Sequence, residues 1–218
     1  MTLDPRLYLV TGDITSGDRA EAVVAAAVAG GVTLVQLRAK AATTPERAGI
    51  ARRLARVLAP AGVPLLVNDD TEAARQANAQ GVHVGPDDLH PAAARAMLGP
   101  HALIGWSIHH LDQLSDTAAL AACDYLAASP VWPTPTKTDT TSPLGLEGVR
   151  ALRMAMPSHL PLVGIGGIAA GNASSVIRAG ADGVAVVSAI WNAADPASEA
   201  RRLRAAVDGA VNDRDASQ

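Results

Sequence analysis

The chain has 218 residues, 49% of them hydrophobic, and 18 Lys and Arg against 21 Asp and Glu give a net charge of −3. That length suits one α/β barrel with a large core, and the apolar content excludes a disordered chain. Aromatics at 2%, the absence of Phe and the lack of any basic run exclude a nucleic-acid binder that stacks bases or tracks phosphates, while the single Cys123 excludes a disulfide framework and a cysteine zinc cluster.

The chain begins Met1-Thr2-Leu3-Asp4-Pro5-Arg6, without the basic and then apolar stretch of a secretory leader, and its apolar runs are too interrupted to span a membrane. A cytoplasmic location is therefore expected. Leu7–Thr11 reads as the first strand and Arg19–Ala29 as the first helix. Leu34–Arg38 is followed by a helix over Pro45–Ala59, with Thr44 expected as its N-cap before a proline at the first helical position. Leu65–Asn68 leads to Thr71–Ala79, Val82–Val84 to Pro91–Leu98, and Leu103–Ser107 to Leu111–Leu120. Tyr125–Ala127 precedes an irregular Pro- and Thr-rich segment, 129–145, and then a helix over Leu146–Met156. Leu162–Ile165 leads to Ala173–Ala179, capped by Asn172, and Gly183–Val187 to Pro196–Val211.

Eight strands thus alternate with eight helices, and most of the helices end near glycine. The strands read as continuous apolar runs, the pattern of a parallel sheet covered on both faces. The simplest closure is a single (β/α)8 TIM barrel spanning residues 1–211, with residues 212–218 as a frayed tail. An open doubly wound sheet is the alternative, but no Gly-x-Gly-x-x-Gly follows the first strand. No linker divides the chain. Glycine-led strand starts at Gly30, Gly81 and Gly180 hint weakly at a repeated βα unit.

In a barrel the strand C-termini form the active face. Asp69 and Asp88 end two adjacent strand candidates, where they would make a hard-cation site, most simply for Mg²⁺. The neighbouring Asp70 and Asp87 resemble ligands by position only. Gln36 and Arg38 project to the same side of one strand, and Lys40 lies just beyond it. Cations beside a metal suggest a phosphate or pyrophosphate substrate. Gly166-Gly167 and Val187-Ser188, at the ends of the last two strands, match the place where barrels commonly bind phosphate. His83 reads as a packed or rim histidine, His109 and His110 as a satisfied loop pair, and Trp106 as packing.

These motifs in this order resemble the thiamine phosphate synthase family. The resemblance runs from about Tyr8 to Trp191. It is carried by Gln36-Leu37-Arg38-Ala39-Lys40, Asn68-Asp69-Asp70, Gly81-Val82-His83-Val84-Gly85-Pro86-Asp87-Asp88, Trp106-Ser107, Pro133-Thr134-Pro135-Thr136-Lys137, Gly164-Ile165-Gly166-Gly167 and Val187-Ser188. The family joins a hydroxymethylpyrimidine diphosphate to a thiazole phosphate and releases pyrophosphate. The resemblance implies that Gln36, Arg38, Lys40, Asn68 and Lys137, with the intervening Leu37 and Ala39, hold the pyrimidine diphosphate. Asp69 and Asp88 would bind Mg²⁺, and Ser107 would contact the pyrimidine. Thr134, Pro135, Thr136, Gly167, Val187 and Ser188 would hold the thiazole phosphate. Arg38, Lys40, Ser107 and Lys137 would carry the chemistry, chiefly by stabilising the leaving pyrophosphate.

The chain departs from the family pattern at Pro86, at Ala128-Ser129 and at Trp132, none of which is an expected metal ligand or phosphate-binding cation. The competing readings are a thiazole tautomerase of similar fold and a non-catalytic paralogue that binds phosphorylated ligands. Small-molecule substrates, no nucleic acid and no membrane are the expected partners. The outer helices of a barrel commonly pair, which leaves a homodimer open.

Overall fold

The computed structural model describes residues 3–12, 14, 17–134 and 142–216. The short apolar runs become eight parallel strands: β1 (Leu7–Val10), β2 (Leu34–Leu37), β3 (Leu65–Asn68), β4 (Gly81–Val84), β5 (Leu103–Ile108), β6 (Tyr125–Ala128), β7 (Leu162–Ile165) and β8 (Gly183–Val186). They pair in chain order and close into a barrel, with Leu9 of β1 opposite Val186 of β8. The helices between and after them are α1 (Gly17–Ala29), α2 (Thr44–Leu58), α3 (Thr71–Ala77), α4 (Pro91–Leu98), α5 (Thr117–Ala122), α6 (Gly145–Ala155), α7 (Ala173–Arg178), α8 (Ser188–Trp191) and α9 (Pro196–Asp215). Among the described residues no helix is long and apolar enough to cross a membrane.

Side chains of a strand alternate between faces, and the two faces here join different cores. Leu7 and Leu9 point outward into the large layer between strands and helices. Tyr8 and Val10 point inward, where they meet Leu34, Leu66, Tyr125, Val163 and Ala185 from five other strands. The inner core is thus a plug of side chains below the mouth, as expected for an eight-stranded barrel.

Helix starts differ from the sequence-based expectation in instructive ways. Thr43, not Thr44, precedes α2, and Pro45 sits at the second helical position. The Glu46 carboxylate accepts from both the Thr43 N–H (2.8 Å) and its hydroxyl (2.7 Å). The Thr44 hydroxyl is spent elsewhere, donating to Asp70 Oδ2 at 2.8 Å. The helix expected over Leu111–Leu120 is broken: a 3₁₀ turn spans Leu111–Ser115, and α5 starts afresh where Asp116 Oδ1 accepts from the Ala119 N–H. The one-turn α8, which starts at Ser188, was not anticipated as a helix.

The tail expected to fray after Val211 is helical as far as Asp215. Arg214 accounts for this, since it donates to the Ala181 carbonyl (3.0 Å) and pairs with Asp182 (3.5 Å).

The N-terminal end of the barrel carries a repeated clasp. Arg95 of α4 donates to the carbonyls of Ala102 and Ala122 and to Asp124, and Asp124 also accepts from the Ile104 N–H at the start of β5 (2.7 Å). Arg153 of α6 donates to the carbonyls of Leu160 and Gly180 and to Asp182, which accepts from the Leu162 N–H at the start of β7 (2.8 Å). The sequence separations are 7, 27 and 29 residues in both. The weak hint of a repeated unit therefore has a physical counterpart, in which Gly180 alone of the glycines that suggested it takes part.

Candidate active site

A cavity of about 500 Å³ opens at the C-terminal end of the strands. Gln36, Arg38, Lys40, Asn68, Asp69, Asp88, Ser107, Thr134, Gly167, Val187 and Ser188 all line it. Eleven positions drawn from β2 to β5, from β7 and β8 and from the loop after β6 thus converge on one space. Leu37 and Ala39 do not join them, because their side chains face outward and are buried in the layer under the helices. Any contact they make with a ligand must come from the backbone. Pro135, Thr136 and Lys137 lie outside the described residues.

Asp69 follows β3 with φ of +62°, a left-handed conformation unusual for a residue other than glycine. It is held there from both sides. Its N–H donates to the His83 carbonyl (2.9 Å), and the Asp70 N–H donates to the Asn68 carbonyl (2.7 Å). The Asn68 side-chain amide donates to Asp69 Oδ2. A non-glycine residue kept in this region by its surroundings is a common mark of a functional position.

Burial pushes the Asp69 carboxyl up to about 7, and a hydrogen bond and charge from Asp88 push the same way, while Asn68 and Lys40 oppose them. Asp88 is itself anchored, its Oδ2 accepting from the Gly85 N–H at 2.8 Å. Two carboxylates are thus pressed together at the mouth beside Lys40. Among the described residues no group of three or more His, Cys, Asp or Glu could hold a metal ion.

Asp70 has a different role. Its carboxylate accepts from the Ala73 N–H (2.8 Å) to cap α3, and from Thr44 and Arg47. Burial would raise its pKa, but these donors together hold it below the ordinary carboxylate value. Asp70 therefore braces the turn that presents Asp69.

On the far side of the barrel, Gly167 has φ of +66°, and a Cβ there would stand 2.8 Å from that of Trp132. Glycine is required by both counts. Asn172 starts α7 as expected but does not cap it with its side chain. Instead its Oδ1 accepts from the Ala169 N–H and its Nδ2 donates to the Gly167 carbonyl, both at 2.9 Å, which fixes the glycine turn. His109 and His110 lie in a loop where the backbone N–H of each donates to Gln113 Oε1. Trp106 is buried packing.

Sequence reasoning missed the floor of the cavity. Tyr8 and His83 line it, and with Tyr125 they make a hydrogen-bonded chain across the barrel from Gln36 to Ser107. The steps are Gln36 Nε2 to Tyr8 Oη (2.5 Å), Tyr8 Oη to Tyr125 Oη (2.9 Å), Tyr125 Oη to His83 Nδ1 (2.8 Å) and His83 Nε2 to Ser107 Oγ (2.9 Å). Gly105 makes room for it, since a Cβ there would lie 2.1 Å from Tyr125 Cζ. A signal existed: the chain has only two tyrosines, both sit in strand runs, and a buried phenol needs a polar partner.

The thiamine monophosphate synthase family model matches residues 7–190. The chain is 50% identical to the thiamine-phosphate synthase of Albidiferax ferrireducens over 93% of its length and 92% of that protein's. It is 46% identical to the thiamine-phosphate synthase of Azorhizobium caulinodans, over 94% of its length and 96% of that protein's. Among solved structures it resembles the thiamine phosphate pyrophosphorylase of Pyrococcus furiosus with a TM-score of 0.84 and 31% identity, over 96% of this chain and 98% of that one. With the barrel, the position of the cavity and these relatives in agreement, the chain belongs to the thiamine monophosphate synthase family.

Proposed function

We propose that the protein joins 4-amino-2-methyl-5-(diphosphooxymethyl)pyrimidine to a thiazole phosphate, giving thiamine phosphate and pyrophosphate. The observation that carries this reading is the Asp69–Asp88 pair sharing one cavity with Arg38 and Lys40. Paired carboxylates beside fixed cations suit a metal-bound diphosphate, which neither charge alone would hold as well. Asp69 and Asp88 would hold Mg²⁺ at the mouth of this cavity. The raised pKa of Asp69 fits this, because burial and the neighbouring Asp88 disfavour its charged form, a penalty that a bound cation would offset. When bound, the metal would neutralise charge building on the leaving pyrophosphate.

Arg38 and Lys40, with Lys137, hold the diphosphate and take up the negative charge that grows as the carbon–oxygen bond breaks. Gln36, Asn68 and Ser107 orient the pyrimidine. Its electron-rich ring stabilises the carbocation that remains, and the thiazole nitrogen then donates its lone pair to that carbon. Thr134, Gly167, Val187 and Ser188, with Pro135 and Thr136, place the thiazole phosphate on the opposite rim, so that the two substrates meet over the barrel axis. No general base is required, since the attacking nitrogen carries no proton to remove.

The test is pyrophosphate release from the purified protein with each substrate alone and with both, in Mg²⁺ and in EDTA. Release that needs both substrates and the metal is the expected result. Release unaffected by EDTA would remove the metal assignment. No release from folded protein would remove the synthase reading.

A further inference from the structure

The chain of bonds across the barrel floor has a direction. Gln36 presents Nε2 to Tyr8, and an amide nitrogen can only donate. Tyr8 accepts that hydrogen, which leaves its own single proton for Tyr125, the next oxygen along. Tyr125 in turn gives its proton to His83 Nδ1. A ring nitrogen that accepts carries no hydrogen, so the imidazole proton must sit on Nε2, facing Ser107 Oγ. Ser107 therefore accepts from His83, and its own hydroxyl hydrogen is left to point into the cavity that it lines.

With Gln36 Nε2 facing Tyr8, any other assignment wastes a donor. If Tyr125 donated to Tyr8, the Tyr8 oxygen would receive two hydrogens, and its own would lose Tyr125 as an acceptor in an environment where Tyr8 is 1% exposed. A buried hydroxyl hydrogen without an acceptor is costly. Both phenols stay protonated: burial raises the pKa of each well above the ordinary value. The two rings also hold each other in place, edge to face at 5.9 Å, with the imidazole stacked on Tyr125 at 5.6 Å.

We propose that Tyr8, Tyr125 and His83 are positioning residues that fix His83 as the Nε2–H tautomer and so commit the Ser107 hydroxyl to donate to the substrate. The ligand group recognised is an unprotonated heteroaromatic nitrogen, an acceptor of the kind a pyrimidine ring carries. The site would then discriminate against a ring in which that nitrogen is replaced by C–H, because the Ser107 donor would be buried without a partner. The kinetic half of this inference rests on the proposed function, whereas the tautomer is a property of the protein alone.

The wire is also reversible in principle, which gives the test its leverage. A carboxylate at position 36 can only accept. Gln36→Glu would draw the Tyr8 proton toward itself and turn every following bond around. His83 would then carry its hydrogen on Nδ1, and Ser107 would donate to Nε2 instead of to the substrate.

The experiment is long-range ¹H–¹⁵N NMR of the histidine side chains in the substrate-free protein, with His83 assigned by comparison with His83→Asn. The wild type is expected to show a protonated Nε2 and an unprotonated Nδ1, and Gln36→Glu the reverse. A wild-type Nδ1–H tautomer, or a Gln36→Glu tautomer identical to wild type, would overturn the proposal. Kinetics add an independent arm. Tyr8→Phe removes one oxygen from the middle of the chain. It should raise KM for the pyrimidine diphosphate about tenfold, the size of one lost hydrogen bond, and leave KM for the thiazole phosphate unchanged. Equal changes in both constants, or none, would count against a role in positioning Ser107. If pyrophosphate is never released, the function falls, but the tautomer result still stands or fails by itself.

Discussion

The two ends of this barrel treat their carboxylates in opposite ways. At the N-terminal end, Asp124 and Asp182 each meet an arginine and a strand N–H, so their charge is matched by donors on the spot. At the C-terminal mouth, Asp69 and Asp88 meet each other, and the backbone that presents Asp69 is held in a left-handed conformation. The same residue type is matched by donors at one end, while at the other burial and a second carboxylate disfavour its charged form. A carboxylate's neighbours, more than its identity, separate structure from function here.

The sharpest way to break this contrast is Asp69→Ala. Turnover should fall by about 10² or more, the scale of losing a principal charge-stabilising contact. Melting temperature should hold or rise, because a strained and repelled group has been removed. Unchanged turnover in saturating Mg²⁺ would put the metal elsewhere.

The converse is Arg153→Ala at the other end. It strips donors from Asp182 and from the carbonyls of Leu160 and Gly180, and should cost about 2 kcal/mol in a denaturant titration, with kcat unaffected. Loss of activity without loss of stability would show that the clasp is not merely structural.

A smaller effect should appear in pH. The folded Asp69 pKa of about 7 lies above its unfolded value of 3.8. The folded state therefore keeps a proton that the unfolded chain has released. The stability from this group is fully present below 3.8 and is lost as pH rises toward 7. In metal-free buffer, Asp69→Asn should gain stability relative to wild type as pH rises through that window, and Mg²⁺ should narrow the gap at high pH. Calorimetry with and without EDTA reads both. The smallest change is expected from Arg150→Ala, whose partner Glu147 is exposed on the outside of α6. A shift beyond about 0.5 kcal/mol would mean that this surface pair matters more than such pairs usually do.

The barrel and its rim were legible in the sequence because both rest on local order. Apolar runs that stop at Asn68-Asp69 or at Gln36 announce strand ends without knowledge of the partner strand. What escaped depends on partners remote in sequence. Tyr8 and Tyr125 are 117 residues apart, and nothing near either one reveals that their hydroxyls meet. His83 read as a packed or rim histidine, which it is, but its partners Tyr125 and Ser107 on the inner face were out of reach of the local sequence. The displacement of the α2 cap from Thr44 to Thr43 has the same cause, since the Thr44 hydroxyl is taken by Asp70, 26 residues away.

The repeated clasp bears on how the chain is made. Each one ties an arginine in a helix to a carboxylate 29 residues further on. During synthesis the first can close as soon as Asp124 has left the ribosome, and the second must wait for Asp182. A nascent chain halted between the two would hold one fastened corner of a barrel and one open one, with the start of β7 lacking its carboxylate partner and exposed to whatever strand edge it meets first.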